Sequence, residues 1–166
     1  EDAACGFGSY INGVHVGTTG TFGCFSFHPR KAVSTGEGGM ITTNNEEYAN
    51  RLRSLRNHGM DVIDPTNELA NKPYNMLDHS YAGYNFRMTD IQAALGTSQM
   101  KRADDILSSR EIVAQRYNHA FRANDLIGIP FTEDNIKHSY QSYACIFKPE
   151  SVTRALASKD YNKLSI

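Results

Sequence analysis

The segment Ser26-Phe-His-Pro-Arg-Lys31, followed by Gly36-Glu-Gly-Gly39, decides the reading of this chain. A hydroxyl stands five residues before a lysine, and a glycine-rich turn follows. An apolar run over 21–27 leads in and another over 40–43 leads out. The pattern predicts a strand, an exposed loop carrying Lys31, and a second strand, both strands short and buried. A loop lysine is ordinarily a solvated surface charge. Between buried strands it can instead be desolvated and used as a Schiff-base amine. Ser26, at the end of the first strand, is placed to hold a phosphate. The glycines of 36–39 permit close backbone approach to a ligand.

Outward from this segment, residues 6–20 carry five glycines and read as loop and turn. Asn45-Glu46-Glu47 starts a helix with Ala49, Leu52 and Leu55 on one face and Arg51, Arg53 and Arg56 on others, and Asn57-His58-Gly59 closes it. Residues 60–84, with Pro65 and Pro73, lack periodicity and read as a long loop, functional or disordered. Thr89-Asp90-Ile91-Gln92 is a capping box that opens a helix to about Arg102. A second helix is predicted over 103–123, an extended piece over 127–131, a strand over 142–147 and a helix over 152–158. The order of elements suggests an α/β fold with a domain junction near 105–130.

A length of 166 residues allows a moderate core. A net charge of −1 and a pI near 6.7 point to neither a nucleic acid nor an anionic membrane as partner. No apolar run approaches the roughly 20 residues of a membrane span. Cys5, Cys24 and Cys145 are odd in number and widely spaced, which suits neither a disulfide framework nor a metal site. A reducing cytoplasm is the expected location. The chain opens at Glu1 without a recognisable strand, and both ends read as cut.

Four ordered blocks bring a family into view. Asp2-Ala-Ala-Cys-Gly6, Cys24-Phe-Ser-Phe-His-Pro-Arg-Lys-Ala32 with Gly36-Glu-Gly-Gly-Met-Ile-Thr-Thr43, Arg53-Ser-Leu-Arg-Asn-His-Gly59, and Gly83-Tyr-Asn-Phe-Arg-Met-Thr-Asp-Ile-Gln-Ala-Ala-Leu-Gly96 together closely resemble the DegT/DnrJ/StrS family of sugar aminotransferases. The resemblance is strong over about 1–105 and fainter to 150. It implies a fold-type-I enzyme dependent on pyridoxal 5′-phosphate. On this resemblance, residues 1–105 are the C-terminal part of the cofactor-binding large domain, and 106–166 are a linking helix and the start of a small domain.

Carried over by motif, the resemblance makes Lys31 the lysine that holds the cofactor as a Schiff base and the base of the reaction. Asp2 looks like the carboxylate at the pyridine nitrogen, which keeps the ring an electron sink. Ser26 looks like a phosphate ligand. Asn85 looks like the residue that reaches the phosphate of the neighbouring subunit in a homodimer; as a residue read alone, it is a loop-capping amide before the Thr89 helix. The implied substrates are an amino-acid donor, typically glutamate, and a nucleotide-linked keto sugar, in surface-polysaccharide or amino-sugar biosynthesis. Lys31 favours transamination, because dehydrating relatives carry histidine there.

One position departs from the pattern. The family usually has glutamine three residues after the aspartate, bonded to the cofactor's phenolic oxygen; this chain has Cys5, a weak donor that reads as a small buried thiol. His28 and His58 read as satisfying local hydrogen bonds, and Glu37 as tying the glycine turn to neighbouring backbone. Family members are much longer, so the isolated chain is expected to be inactive. Two other readings stand beside this one: a non-catalytic homologue acting as dimer partner or regulator, which the retention of Lys31, Asp2 and Ser26 argues against, and a Schiff-base enzyme without pyridoxal phosphate, which leaves Asp2 and Ser26 idle.

Overall fold

The computed structural model of the protein describes residues 1–62 and 78–158. The middle of the predicted 60–84 loop, residues 63–77, lies outside that description. The elements are β1 (Tyr10–Ile11), β2 (Val14–His15), β3 (Gly23–Ser26), β4 (Gly39–Thr42), α1 (Glu46–Leu55), α2 (Asp90–Met100), α3 (Ala103–Phe121), β5 (Ile127–Gly128), β6 (Ile136–Lys137), β7 (Ile146–Phe147) and α4 (Pro149–Ser158).

β3 and β4 are the two strands predicted on either side of Lys31. They pair antiparallel, from Gly23 opposite Thr42 to Ser26 opposite Gly39. Their predicted burial does not hold: Met40 and Ile41 are half exposed and Cys24 is exposed. β4 pairs with β3 in a two-stranded sheet, and the Met40 and Ile41 side chains stay open to solvent.

The start of the chain is better ordered than its sequence suggests. Asp2 forms a parallel bridge with Cys24. Ala3 N donates to Cys24 O and Cys24 N to Glu1 O, each at 3.0 Å. Residues 1–3 therefore run alongside β3 although no strand was legible there. Glu1 reinforces the pairing, its Oε2 accepting the Thr19 hydroxyl at 2.8 Å and the Thr19 and Gly20 amides. Hydrogen bonding, first from the Gly17 backbone and then from the Thr19 side chain, holds the Glu1 carboxyl at about 2.

Residues 6–20 are also more regular than predicted. β1 and β2 form a hairpin whose turn residues, Asn12 and Gly13, have φ of 53° and 77°. Both central residues are thus left-handed, as the tightest hairpin turn requires, and an Asn-Gly pair meets that need. β6 adds to β1, with Asn12 and Asn135 joined by their side chains at 2.9 Å.

The helices follow the sequence closely. Asn45 caps α1 by accepting from Tyr48 N at 3.0 Å, and left-handed His58 and Gly59 end it, with Gly59 N donating to Ser54 O. Ala49, Leu52 and Leu55 are partly covered while Arg51, Arg53 and Arg56 are exposed. Thr89 and Gln92 form the full capping box of α2. The predicted strand over 142–147 shrinks to β7, and α4 begins at Pro149, three residues early. Proline suits a first helical position, where its missing N–H costs no bond.

The core is small and lies against the loop that follows β3. Ala3, Ala32 and Val33 are buried there, and Ala114 and Leu126 are buried further along the chain. Because the two residues after Lys31 are buried, the backbone that carries this lysine is fixed even though its side chain reaches outward.

Candidate active site

The Lys31 loop is a chain of short-range bonds. Phe27 N donates to Gly38 O at 2.9 Å and Thr35 N to Phe27 O at 3.0 Å, which closes the base of the loop. His28 N donates to Ser26 Oγ at 3.3 Å, Arg30 N to His28 Nδ1 at 3.2 Å, and Lys31 N to His28 O at 2.9 Å. His28 thus has the local role read from the sequence. The Ser26 oxygen accepts a bond and keeps its own hydrogen to donate to a ligand.

Lys31 Nζ lies 2.9 Å from Cys5 Sγ. The lysine therefore reaches across to the turn that carries Asp2, whose Oδ1 accepts Ala4 N at 3.0 Å. Cys5 is exposed, not the buried thiol expected. Three of the four predicted residues lie on one structural unit: Asp2 bridges Cys24 of β3, Ser26 ends β3, and Lys31 is on the loop that follows.

Asn85 is elsewhere. Its backbone bridges Asn57, and its Oδ1 accepts Arg87 N at 3.4 Å. This is the loop-capping geometry of the alternative reading, and these bonds connect it to the end of α1 rather than to the Lys31 loop. The blocks 53–59 and 83–96 do pack on each other. His58 N donates to Tyr84 O, Tyr84 N to Leu55 O and Arg87 Nη1 to Asn57 Oδ1. A Cβ on Gly59 would lie 1.6 Å from Tyr81 O, so only glycine admits this contact.

The glycine turn is also tied to the start of the α2 block. Gln92 Nε2 donates to Glu37 O at 2.9 Å, and a Cβ on Gly38 would meet Thr35 Oγ1 at 2.6 Å and Met88 Cε at 3.2 Å. Glu37 ties the turn to neighbouring structure, through its carbonyl oxygen.

Residues near the far end of the chain complete the surroundings of Lys31, and no motif pointed to them. Gln141 Nε2 donates to Arg30 O at 2.6 Å, and Ser139 bonds Ser9 through both its amide and its hydroxyl. A glutamine's amide in an irregular segment leaves no periodic trace in a sequence.

The donor set is an amine, a carboxylate and a hydroxyl held by one short sheet and its loop. An amine can bind a carbonyl carbon, a carboxylate can face a ring cation, and a hydroxyl can donate to a phosphate. The residues present therefore fit pyridoxal phosphate. Among the described residues no cluster of His, Cys, Asp and Glu could hold a metal ion.

Comparison with known proteins agrees. The DegT/DnrJ/EryC1/StrS aminotransferase family matches residues 1–163, well past the region where the motifs are clearest. GDP-perosamine synthase of Caulobacter vibrioides is 35% identical, the match covering 100% of this chain and 42% of the relative. PseC of Helicobacter pylori, an aminotransferase involved in the biosynthesis of pseudoaminic acid, superposes with a TM-score of 0.78 at 29% identity, over 98% of this chain and 42% of that one. A putative sugar aminotransferase of Streptococcus pneumoniae in its PLP form superposes with a TM-score of 0.76 at 26% identity, over 95% and 41%. The chain thus spans about two fifths of the length of these relatives.

Proposed function

The chain belongs to the DegT/DnrJ/EryC1/StrS aminotransferase family, with the fold-type-I architecture of pyridoxal-phosphate enzymes, and we propose that it is the lysine-bearing part of an enzyme that moves an amino group from glutamate to the keto group of a nucleotide-linked sugar. The observation that carries this reading is the reach of Lys31 Nζ to the Asp2–Cys5 turn. It brings the one amine of the motif to the turn that begins at Asp2, whose carboxylate accepts Ala4 N.

When bound, pyridoxal phosphate supplies the electron sink that stabilises negative charge at the donor's Cα. The chain's own residues do the rest. Lys31 Nζ would hold the cofactor's carbonyl carbon, and its free amine would take the proton from the donor's Cα. Asp2 keeps the ring nitrogen protonated. Ser26 donates to the phosphate. Asn85 reaches the phosphate held by a second subunit, so the active form is a homodimer.

In this reading residues 1–105 belong to the large domain and 106–166 to the linking helix and small domain, and α3 is the link. Support for a nucleotide-sugar substrate comes from the Caulobacter relative, a GDP-perosamine synthase, and support for amino-sugar biosynthesis from PseC. The chain alone is inactive, since it holds about two fifths of a relative. The reading puts the enzyme in the cytoplasm; among the described residues no helix is long and apolar enough to cross a membrane. Hydride trapping of pyridoxal phosphate followed by peptide mapping tests the assignment, and the label belongs on Lys31.

A further inference from the structure

We propose that Cys5 is a positioning residue for Lys31: its sulfur holds the free lysine amine over the Asp2 turn. The role rests on the pyridoxal-phosphate reading of Lys31, but the contact itself does not. The two side chains meet at 2.9 Å across a gap between two fixed backbones. On one side Ala3 is buried, its amide is bonded to Cys24 O, and Gly6 N donates to Ala3 O at 2.9 Å to close the turn around Cys5. On the other side Lys31 N is bonded to His28 O, and buried Ala32 and Val33 anchor the chain just after it.

The partners suit each other chemically. A lysine amine offers hydrogens and sulfur accepts them over a broad range of directions. The carboxylate of the same turn, Asp2, already accepts the Ala4 amide. Without the sulfur, the four-carbon stem of Lys31 regains its rotamers, and the amine spends most of its time away from the Cys5 turn. Holding a nucleophile in one place speeds its capture of a carbonyl carbon, because orientation is settled before the encounter. The thiol at this position therefore acts on the lysine, a different task from that of the amide found there in other family members, which faces the cofactor's phenolic oxygen.

The experiment has two arms on the 166-residue chain. o-Phthalaldehyde joins a neighbouring amine and thiol into a fluorescent isoindole with loss of two waters. The wild-type chain gives this product, mapped by peptide mass to Cys5 and Lys31, and Cys5→Ala and Lys31→Met do not. In the second arm, pyridoxal phosphate is trapped with cyanoborohydride and the share of label on Lys31 is measured. Cys5→Ala lowers that share by about threefold or more, and Cys5→Ser, whose hydroxyl also accepts, recovers at least about half of it. Circular dichroism checks that every variant keeps the wild-type fold. No label on Lys31 in the wild-type chain overturns the cofactor reading on which the role depends. Label on Lys31 that Cys5→Ala leaves unchanged, or a wild-type chain that yields no isoindole, overturns the role of Cys5 alone.

Discussion

Gln141 Nε2 donates to the carbonyl oxygen of Arg30 at 2.6 Å, joining residues 111 positions apart, one step before Lys31. The same segment bonds the other arm of the site, through Ser139 to Ser9, and Arg110 holds it from α3 by donating to Tyr140 O at 3.1 Å. Segment 139–141 thus spans both sides of the lysine. Replacing Gln141 with Leu removes the donor and is expected to cost about 1 kcal/mol, the net value of one such bond. Gln141→Glu loses the bond equally, because an ionised carboxylate cannot donate. Chemical denaturation measures the loss, and hydrogen exchange should speed up at Arg30 and Lys31. Unchanged exchange there would show that the tie does not hold the loop.

Gly23 has no room for a side chain, since a Cβ there would lie 1.9 Å from Gly17 O. Gly36 has a φ of 81° but nothing within 4 Å. Gly23→Ala is therefore expected to cost more than about 3 kcal/mol, because backbone must move. Gly36→Ala is expected to cost about 1–2 kcal/mol, from left-handed strain alone. Urea midpoints rank the two, and the reverse order would contradict the packing described at β3.

Glu1 gives the pH dependence a sign. Its carboxyl is lowered from 4.5 to about 2, with hydrogen bonding from Gly17 first and the Thr19 hydroxyl next among the causes. A depressed folded value means that the carboxylate stabilises the fold above pH 4.5 and that this support is lost as pH falls toward about 2. The melting temperature of the wild-type chain should fall faster than that of Glu1→Gln across this window, so that the two curves converge at its acid end. Parallel curves would mean that the carboxylate does not grip the 17–20 turn.

Much of this was legible because it depended on local chemistry. The Thr89–Gln92 capping box, the Asn45 cap and the His58-Gly59 stop are side-chain and backbone preferences that act within four residues, and each was met. The β3–Lys31–β4 unit was legible for the same reason. The Asn12-Gly13 hairpin was missed, residues 6–20 reading as loop and turn, because its flanking strands are two residues each, too short to alternate visibly. The pairing of residues 1–3 with β3, the contact of Cys5 with Lys31 and the return of Gln141 to Arg30 are long-range, and nothing in a local pattern marks them. Burial was the poorest expectation: apolar residues at 40–41 promised a covered strand, and they remain half exposed.

Because the chain spans about two fifths of its relatives, it should catalyse no transamination by itself. Incubated with glutamate, a keto nucleotide sugar and pyridoxal phosphate, it should give no product and no stable Lys31-dependent absorption between roughly 410 and 430 nm, where such imines absorb. Turnover that disappears in Lys31→Ala would show that these residues suffice for a working site.

The assignment of Lys31 is the central claim, and hydride trapping tests it most directly. Reduction captures even a weak, transient Schiff base, so it does not require a complete site. The chain is incubated with pyridoxal phosphate, reduced with borohydride, digested and mapped. Label on Lys31 exceeding that on any other lysine by on the order of tenfold is the predicted result, as expected for an amine held in one place by the Cys5 turn. Label spread evenly over the lysines, or concentrated on another one, would contradict it.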